Sequence, residues 1–179
     1  GTLRQQGLLN AWLDQLGKVS ASRQPPKLRW VLQLGAYQLL FCRGIPASAA
    51  VNTAVALARQ LGLARLSGVV NGLLRELDRR HRAAVAAGAA TAEPSPWLGL
   101  PLPDDPAHSL AVRCSLPLWL AEALLSWLPS EQAEAVAAAC NATPRLDLRV
   151  NPLRATRAAV QEALAAAGVA LQAAATASA

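Results

Sequence analysis

The chain has 179 residues, of which 53% are apolar, much of that alanine, and only 4% are aromatic. Alanine is the strongest helix former and carries little transfer energy, so this balance predicts helices in close, small-residue contact. No uninterrupted apolar run reaches the roughly 18–20 residues that span a bilayer, and Gly1-Thr2-Leu3-Arg4 opens without an apolar leader, so neither a membrane partner nor export is expected. The missing initiator methionine reads as a trimmed chain or a partial reading frame.

Three scattered cysteines, Cys42, Cys114 and Cys140, form neither a metal motif nor a disulfide framework, which points to a reducing cytoplasm. Net charge is +6, unevenly spread. Residues 1–82 carry twelve Lys/Arg against three acids, and residues 83–179 carry five against eight. A concentrated positive field on a helical module is the footprint of a polyanion partner. Arginine supplies fifteen of the seventeen basic residues, as a GC-rich coding bias would, but such a bias does not place the charge on one half.

In chain order, Leu8, Leu9, Trp12, Leu13 and Leu16 share one face of a helix expected from about Leu3 to Leu16. Gly17 and the polar stretch Ser20–Gln24 end it, and Pro25-Pro26 restart the chain. The next helix, Lys27 to Cys42, is apolar nearly all round. Leu28, Val31, Leu32 and Leu39 form one stripe, and Trp30, Leu34, Tyr37 and Phe41 form another, which predicts a central helix contacted on several sides. Gly35 in its middle costs about 1 kcal/mol relative to alanine and predicts close approach by a neighbour.

A third helix is expected from Ala47 to Leu61, between Pro46 and Gly62. A fourth runs from Leu66 to Arg82, with Leu66, Val69, Val70, Leu73, Leu74 and Leu77 inward and Asp78 able to pair with Arg82. Together these make an antiparallel helical bundle over residues 1–82. Residues 83–112, rich in Ala and Gly and then Pro, read as a linker lying over the surface, pinned by Trp97 and Leu98.

Residues 113–179 read as connecting helices and an incomplete α/β subdomain. Pro117 begins one helix and Pro129 ends it, and Ser130 is placed to cap the next, to about Cys140. Leu146, Leu148 and Val150 alternate with Asp147 and Arg149, the pattern of a half-buried strand. Thr156 then caps a helix closed by Gly168, and Val169–Gln172 could open a second strand. The fold expected is mainly α: a helical bundle, a helix pair and the start of a small α/β unit.

No catalytic constellation is visible. His81 and His108 lack a carboxylate or cysteine partner at useful spacing and read as surface residues. Asp104-Asp105 reads as a solvated turn. The eleven glycines are isolated, so no phosphate or cofactor loop forms. Cys42 and Cys114 adjoin Arg43 and Arg113 but have no accompanying base, which favours a packing role. The candidate nucleic-acid contacts are Arg75, Arg79, Arg80 and Arg82 at one helix end, with Lys27, Arg29 and Arg43 flanking the central helix. The competing explanation is a solvated face whose cations favour a helix C-terminus.

Two sets of motifs add a family. Leu28-Arg29, Leu34-Gly35-Ala36-Tyr37-Gln38-Leu39, Ile45-Pro46-Ala47, Ala50-Val51-Asn52-Thr53-Ala54-Val55 and Val70-Asn71-Gly72-Leu73-Leu74-Arg75 resemble the helical core of the NusB fold. That RNA-binding bundle occurs in transcription antitermination factors and at the front of Sun/Fmu-type (RsmB) ribosomal RNA methyltransferases. Gly1-Thr2-Leu3-Arg4 looks like the middle of the bundle's third helix, which implies that two helices precede Gly1. Leu116-Pro117-Leu118-Trp119-Leu120, Asn141, Pro144 and Leu148-Arg149-Val150-Asn151 look like the connecting region of the methyltransferases, which leads into an RRM-like subdomain and the S-adenosylmethionine-binding domain.

Arg75 agrees with the methyltransferases, since free NusB proteins usually carry an acidic residue there, and Tyr37 matches a family tyrosine at the bundle's heart. Leu116 departs from the family, which usually has histidine before the proline. The resemblance implies ribosomal RNA and the parent's own catalytic domain as partners. It places S-adenosylmethionine and the cysteine that attacks cytosine C6 outside these residues, so that this piece binds RNA without methylating it. A NusB-type antitermination module, with a role in regulation of transcription, and a purely structural helical support are the alternatives.

Overall fold

The computed structural model describes residues 1–88, 94–142, 144 and 146–171, and every regular element among them is helical. Helix α1 (Gln6–Leu16) buries Leu8, Leu9, Trp12 and Leu13 as their spacing requires, but it starts three residues later than expected and leaves Leu3 exposed. Beyond Gly17, Asp14 Oδ1 accepts the Ala21 N–H at 2.5 Å, which folds the polar connection into a 3-10 turn at Ala21–Arg23. Pro26 then opens α2 (Pro26–Phe41), its fixed φ suited to a first turn.

Helices α1, α3 (Ala47–Gln60) and α4 (Ser67–Ala87) all pack against α2, with its Leu28, Val31, Leu32 and Ala36 in the core. Gly35 permits this. A Cβ there would lie 2.5 Å from Leu74 Cδ1 and 3.2 Å from Ala54 Cβ, so two neighbours occupy the space a side chain would need. Buried Gln33 donates from Nε2 to Asn10 Oδ1 at 2.7 Å, satisfying a polar group at the α1–α2 contact. The second apolar stripe of α2 does not bury as expected. Trp30 and Leu34 are exposed, while Tyr37 and Phe41 are half-buried with their rings stacked at 4.9 Å. Helix α2 is thus contacted by three helices, as its composition predicts, while Trp30 and Leu34 stay exposed.

Helix α3 buries Ala50, Ala54 and Ala58 at four-residue intervals, the small-residue contact that the composition predicts. It ends in a Schellman arrangement: Gly62 at φ +80°, its N–H on Arg59 O, and the Leu63 N–H on Ala58 O. Short connections at 42–46 and 61–66 fold successive helices back on one another. Helix α4 runs five residues past Arg82 and buries Val70, Leu74 and Leu77; Val69, one position off that stripe, is exposed.

The proline-rich stretch is a strap wherever it is described, and residues 89–93 lie outside the described residues. Trp97, Leu100 and Leu102 pack against the same core. The Trp12 indole N–H donates to Pro96 O at 3.0 Å, and His81 Nε2 lies 3.1 Å from Ser95 O. Within the stretch read as linker, α5 (Pro106–Cys114) begins. Asp105 is its cap, not merely a solvated turn: Oδ2 accepts the His108 N–H at 2.8 Å and lies 2.8 Å from His108 Nδ1. These bonds from His108 hold the Asp105 carboxyl below the usual carboxylate range. His108 therefore has the carboxylate partner that sequence reading denied it.

Helices α5, α6 (Leu118–Trp127) and α7 (Ser130–Asn141) enclose a second cluster around Leu110, Cys114, Ala121, Leu124, Ala133 and Ala137. Ser130 is the first helical residue and does not cap; Pro129 holds the cap position without a side-chain bond. Ser115 Oγ accepts the Gly7 N–H at 2.6 Å, joining this cluster to α1.

Residues 143–179 are a separate compact unit. The strand expected at Leu146–Val150 is not formed, and Leu146 and Leu148 are exposed. A strand needs a partner to take its backbone N–H and C=O groups, and no strand exists among the described residues. Residues 169–171 likewise form none, and Gln172 lies outside the described residues. Thr156 does cap α8 (Arg157–Ala166), its Oγ1 accepting the Ala159 N–H at 3.2 Å, and Gly168 at φ +79° closes the helix. The start of an α/β unit is thus represented here by its helix alone.

Candidate nucleic-acid interface

Arg75, Arg79 and Arg82 recur at four- and three-residue spacing on the outer side of α4 and are exposed; Arg80, one step round, is half-buried. Since α4 continues to Ala87, these residues lie in its interior, and its last turn holds no basic residue. The helix dipole acts mainly over the terminal turn. Favourable placement at a helix C-terminus, the competing explanation for this cluster, therefore does not account for it.

The arginines are not all free. Glu76 accepts from Arg79 Nε at 2.8 Å and Nη2 at 2.6 Å, and from Arg80 Nε at 2.8 Å. Hydrogen bonds from those two guanidinium groups hold the Glu76 carboxyl at about 2, and the same contact raises Arg79. Asp78 pairs with Arg82 at 2.8 Å, as expected from their spacing. Arg75 donates from Nε to Asn71 Oδ1 at 2.9 Å and has no acidic partner. The face is basic but partly self-neutralised, four arginines standing over two acids.

Because its folded pKa is depressed, Glu76 contributes ion-pair stability that is complete above its ordinary value of 4.5 and is lost as pH falls towards about 2. A carboxyl titration followed by NMR should place its midpoint near 2. Glu76→Gln removes a negative charge and releases Arg79 and Arg80, and should therefore tighten binding of a polyanion in an anisotropy titration. Unchanged or weaker binding would show that the pairs, and not free guanidinium groups, make the surface.

Of the other three sequence candidates, Lys27 and Arg29 lie on α2 and not on this face. Lys27 is exposed in the first turn of α2, the end where the helix dipole disfavours a cation. Arg29 is half-buried and donates from Nη1 to Ala21 O at 3.3 Å, tying α2 to the 3-10 turn. That contact makes Arg29 a fastener of the fold. Arg43 is exposed just beyond α2.

Sequence reading passed over a cleft of about 460 Å³ between α3 and α4, lined by Asn52, Val55, Ala56, Arg59, Ser67, Gly68 and Asn71. Its signal was present but weak: Asn52 and Arg59 are two helical turns apart, and Asn71 and Arg75 one turn apart.

Burial raises the Cys114 thiol, in keeping with a packing cysteine, while Cys42 is half-buried and Cys140 exposed. No group of three or more His, Cys, Asp or Glu among the described residues could hold a metal ion. No carboxylate lines the cleft to take the ribose hydroxyls of S-adenosylmethionine. No single helix among the described residues is long and apolar enough to cross a membrane.

Comparison with known proteins gives this architecture a class. Residues 1–79 match the NusB family, and residues 116–179 match the Methyltr_RsmF/B-like, ferredoxin-like domain. The chain is thus a NusB-type helical domain followed by a methyltransferase-associated ferredoxin-like domain. It is 39% identical over 165 residues to the probable ribosomal RNA small subunit methyltransferase B of Synechocystis, an alignment covering 92% of this chain and 34% of that protein. It is 33% identical over 169 residues to ribosomal RNA small subunit methyltransferase B of Pseudomonas putida, covering 94% and 34%. The transcription antitermination protein NusB of Thiobacillus denitrificans is 31% identical over only 83 residues, 46% of this chain and 57% of that protein. No solved structure matches the chain. Its two matched segments belong to the NusB family and to the Methyltr_RsmF/B-like, ferredoxin-like domain family, and the chain spans about a third of the length of these methyltransferase relatives.

Proposed function

We propose that the chain is the RNA-engaging part of an S-adenosylmethionine-dependent ribosomal RNA cytosine-C5 methyltransferase of the cytoplasm, and that it does not transfer methyl groups itself. The observation that carries this reading is the exposed Arg75–Arg79–Arg82 face in the interior of α4, on the domain that matches the NusB family. Phosphate oxygens take guanidinium groups in paired hydrogen bonds, and such contacts supply most of the sequence-independent affinity for RNA. Residues 1–82 serve as the RNA-binding domain, residues 83–112 connect, and residues 113–179 lead towards the parent's catalytic domain. The methyltransferase-type match over residues 116–179 favours this reading over an antitermination module.

Three measurements test it. The 179-residue chain should bind a labelled fragment of small-subunit ribosomal RNA in fluorescence anisotropy. It should show no heat of binding with S-adenosylmethionine and no tritium transfer to that RNA. Stoichiometric cofactor binding would contradict the assignment of chemistry to the rest of the parent protein.

A further inference from the structure

Asn52, Val55, Ala56 and Arg59 on α3 face Ser67, Gly68 and Asn71 on α4 across the cleft described above. Its volume of about 460 Å³ falls within the roughly 300–1,000 Å³ of small-ligand sites. Arg59 is exposed and makes no ion pair among the described residues, in contrast to Arg79, Arg80 and Arg82. Asn52 lines the cleft and is exposed, and its amide has no partner among the described residues, which leaves its donor and its acceptor available. The Asn71 amide oxygen is occupied by Arg75 Nε, which leaves its NH2 as donor and places the Arg75 guanidinium beside the cleft. Val55 and Ala56 provide an apolar wall between these polar groups.

We infer that this cleft is a nucleotide subsite that takes one unstacked residue of single-stranded RNA, with Arg59 and Arg75 on flanking phosphates and Asn52 on the base edge. This deepens the RNA-binding reading and rests on it. A cation next to an amide with paired donor and acceptor suits a nucleotide, since guanidinium groups hold phosphate and an asparagine amide can bond a base edge twice. Single-stranded RNA is recognised through splayed bases of this kind. The cleft lining contains no acid, so Arg59 is left for a negative charge brought by the ligand, and every RNA nucleotide carries one.

The test uses the 179-residue chain and a fluorescein-labelled, mixed-sequence single-stranded RNA oligonucleotide. Asn52→Ala and Arg59→Gln should each weaken binding about five- to tenfold, and Arg59→Gln should flatten the slope of log K against log salt by about 0.7. Gly68→Leu is the third variant. A Cβ at Gly68 meets nothing within 4 Å, so the new side chain can fill the cleft without disturbing the helices, and it should weaken binding with an unchanged thermal midpoint. If wild type binds the RNA and all three variants bind like it, the cleft is not a subsite, although the basic face survives. A wild-type chain that does not bind RNA overturns both. Capture of a protein by the cleft, with RNA affinity unchanged in the variants, also overturns the inference.

Discussion

Trp12→Ala should destabilise the chain by about 3–5 kcal/mol, measured as a shift in a urea or thermal unfolding transition. The indole is fully buried in α1 between α2, α4 and the proline-rich strap, and its N–H holds Pro96 O at 3.0 Å. Truncation removes a large apolar ring and leaves the Pro96 carbonyl without this donor, so cavity and hydrogen-bond costs add. Trp12→Phe keeps much of the ring volume but not the donor, and should retain most of the stability while loosening residues 95–98 to hydrogen exchange. A loss under about 1 kcal/mol for the alanine variant would mean that the strap does not close over this core.

Replacing Arg75, Arg79 and Arg82 with glutamine should weaken binding of small-subunit ribosomal RNA about tenfold or more at moderate salt. These are the exposed members of the α4 face. The thermal midpoint should change little, because exposed ion pairs contribute little net stability. The equivalent triple at Arg149, Arg154 and Arg157, all exposed in the more acidic half, should cost much less. Equal losses from the two triples would mean that affinity follows net charge alone.

Much of the bundle was legible because its signals are local. The buried stripe of α1, the Pro-initiated α2, the small-residue seam of α3 and the glycine at the α2–α4 contact follow from spacing and from the lack of a Cβ at Gly35. Legibility failed where burial depends on what lies opposite. Trp30 and Leu34 stay exposed on a stripe whose other members, Tyr37 and Phe41, are half-buried against the core, and Leu146–Val150 alternates like a strand yet finds no strand partner among the described residues. At the candidate site, the Asp78–Arg82 pair was predictable from i, i+4 spacing, as was Glu76 within reach of Arg79 and Arg80. The end of α4 was not, and it decides how the arginines are read: five further residues of mostly alanine carry the helix past them. Nor was the Asn52–Arg59 cleft, since it forms only when two successive helices are folded side by side.

The most direct test of the central claim is the salt dependence of RNA binding by the unmodified chain. If Arg75, Arg79 and Arg82 each neutralise a phosphate of single-stranded ribosomal RNA, log K should fall against log salt with a slope of about −2 or steeper. A slope near zero, with measurable affinity retained at high salt, would contradict the basic face as the RNA-contact surface.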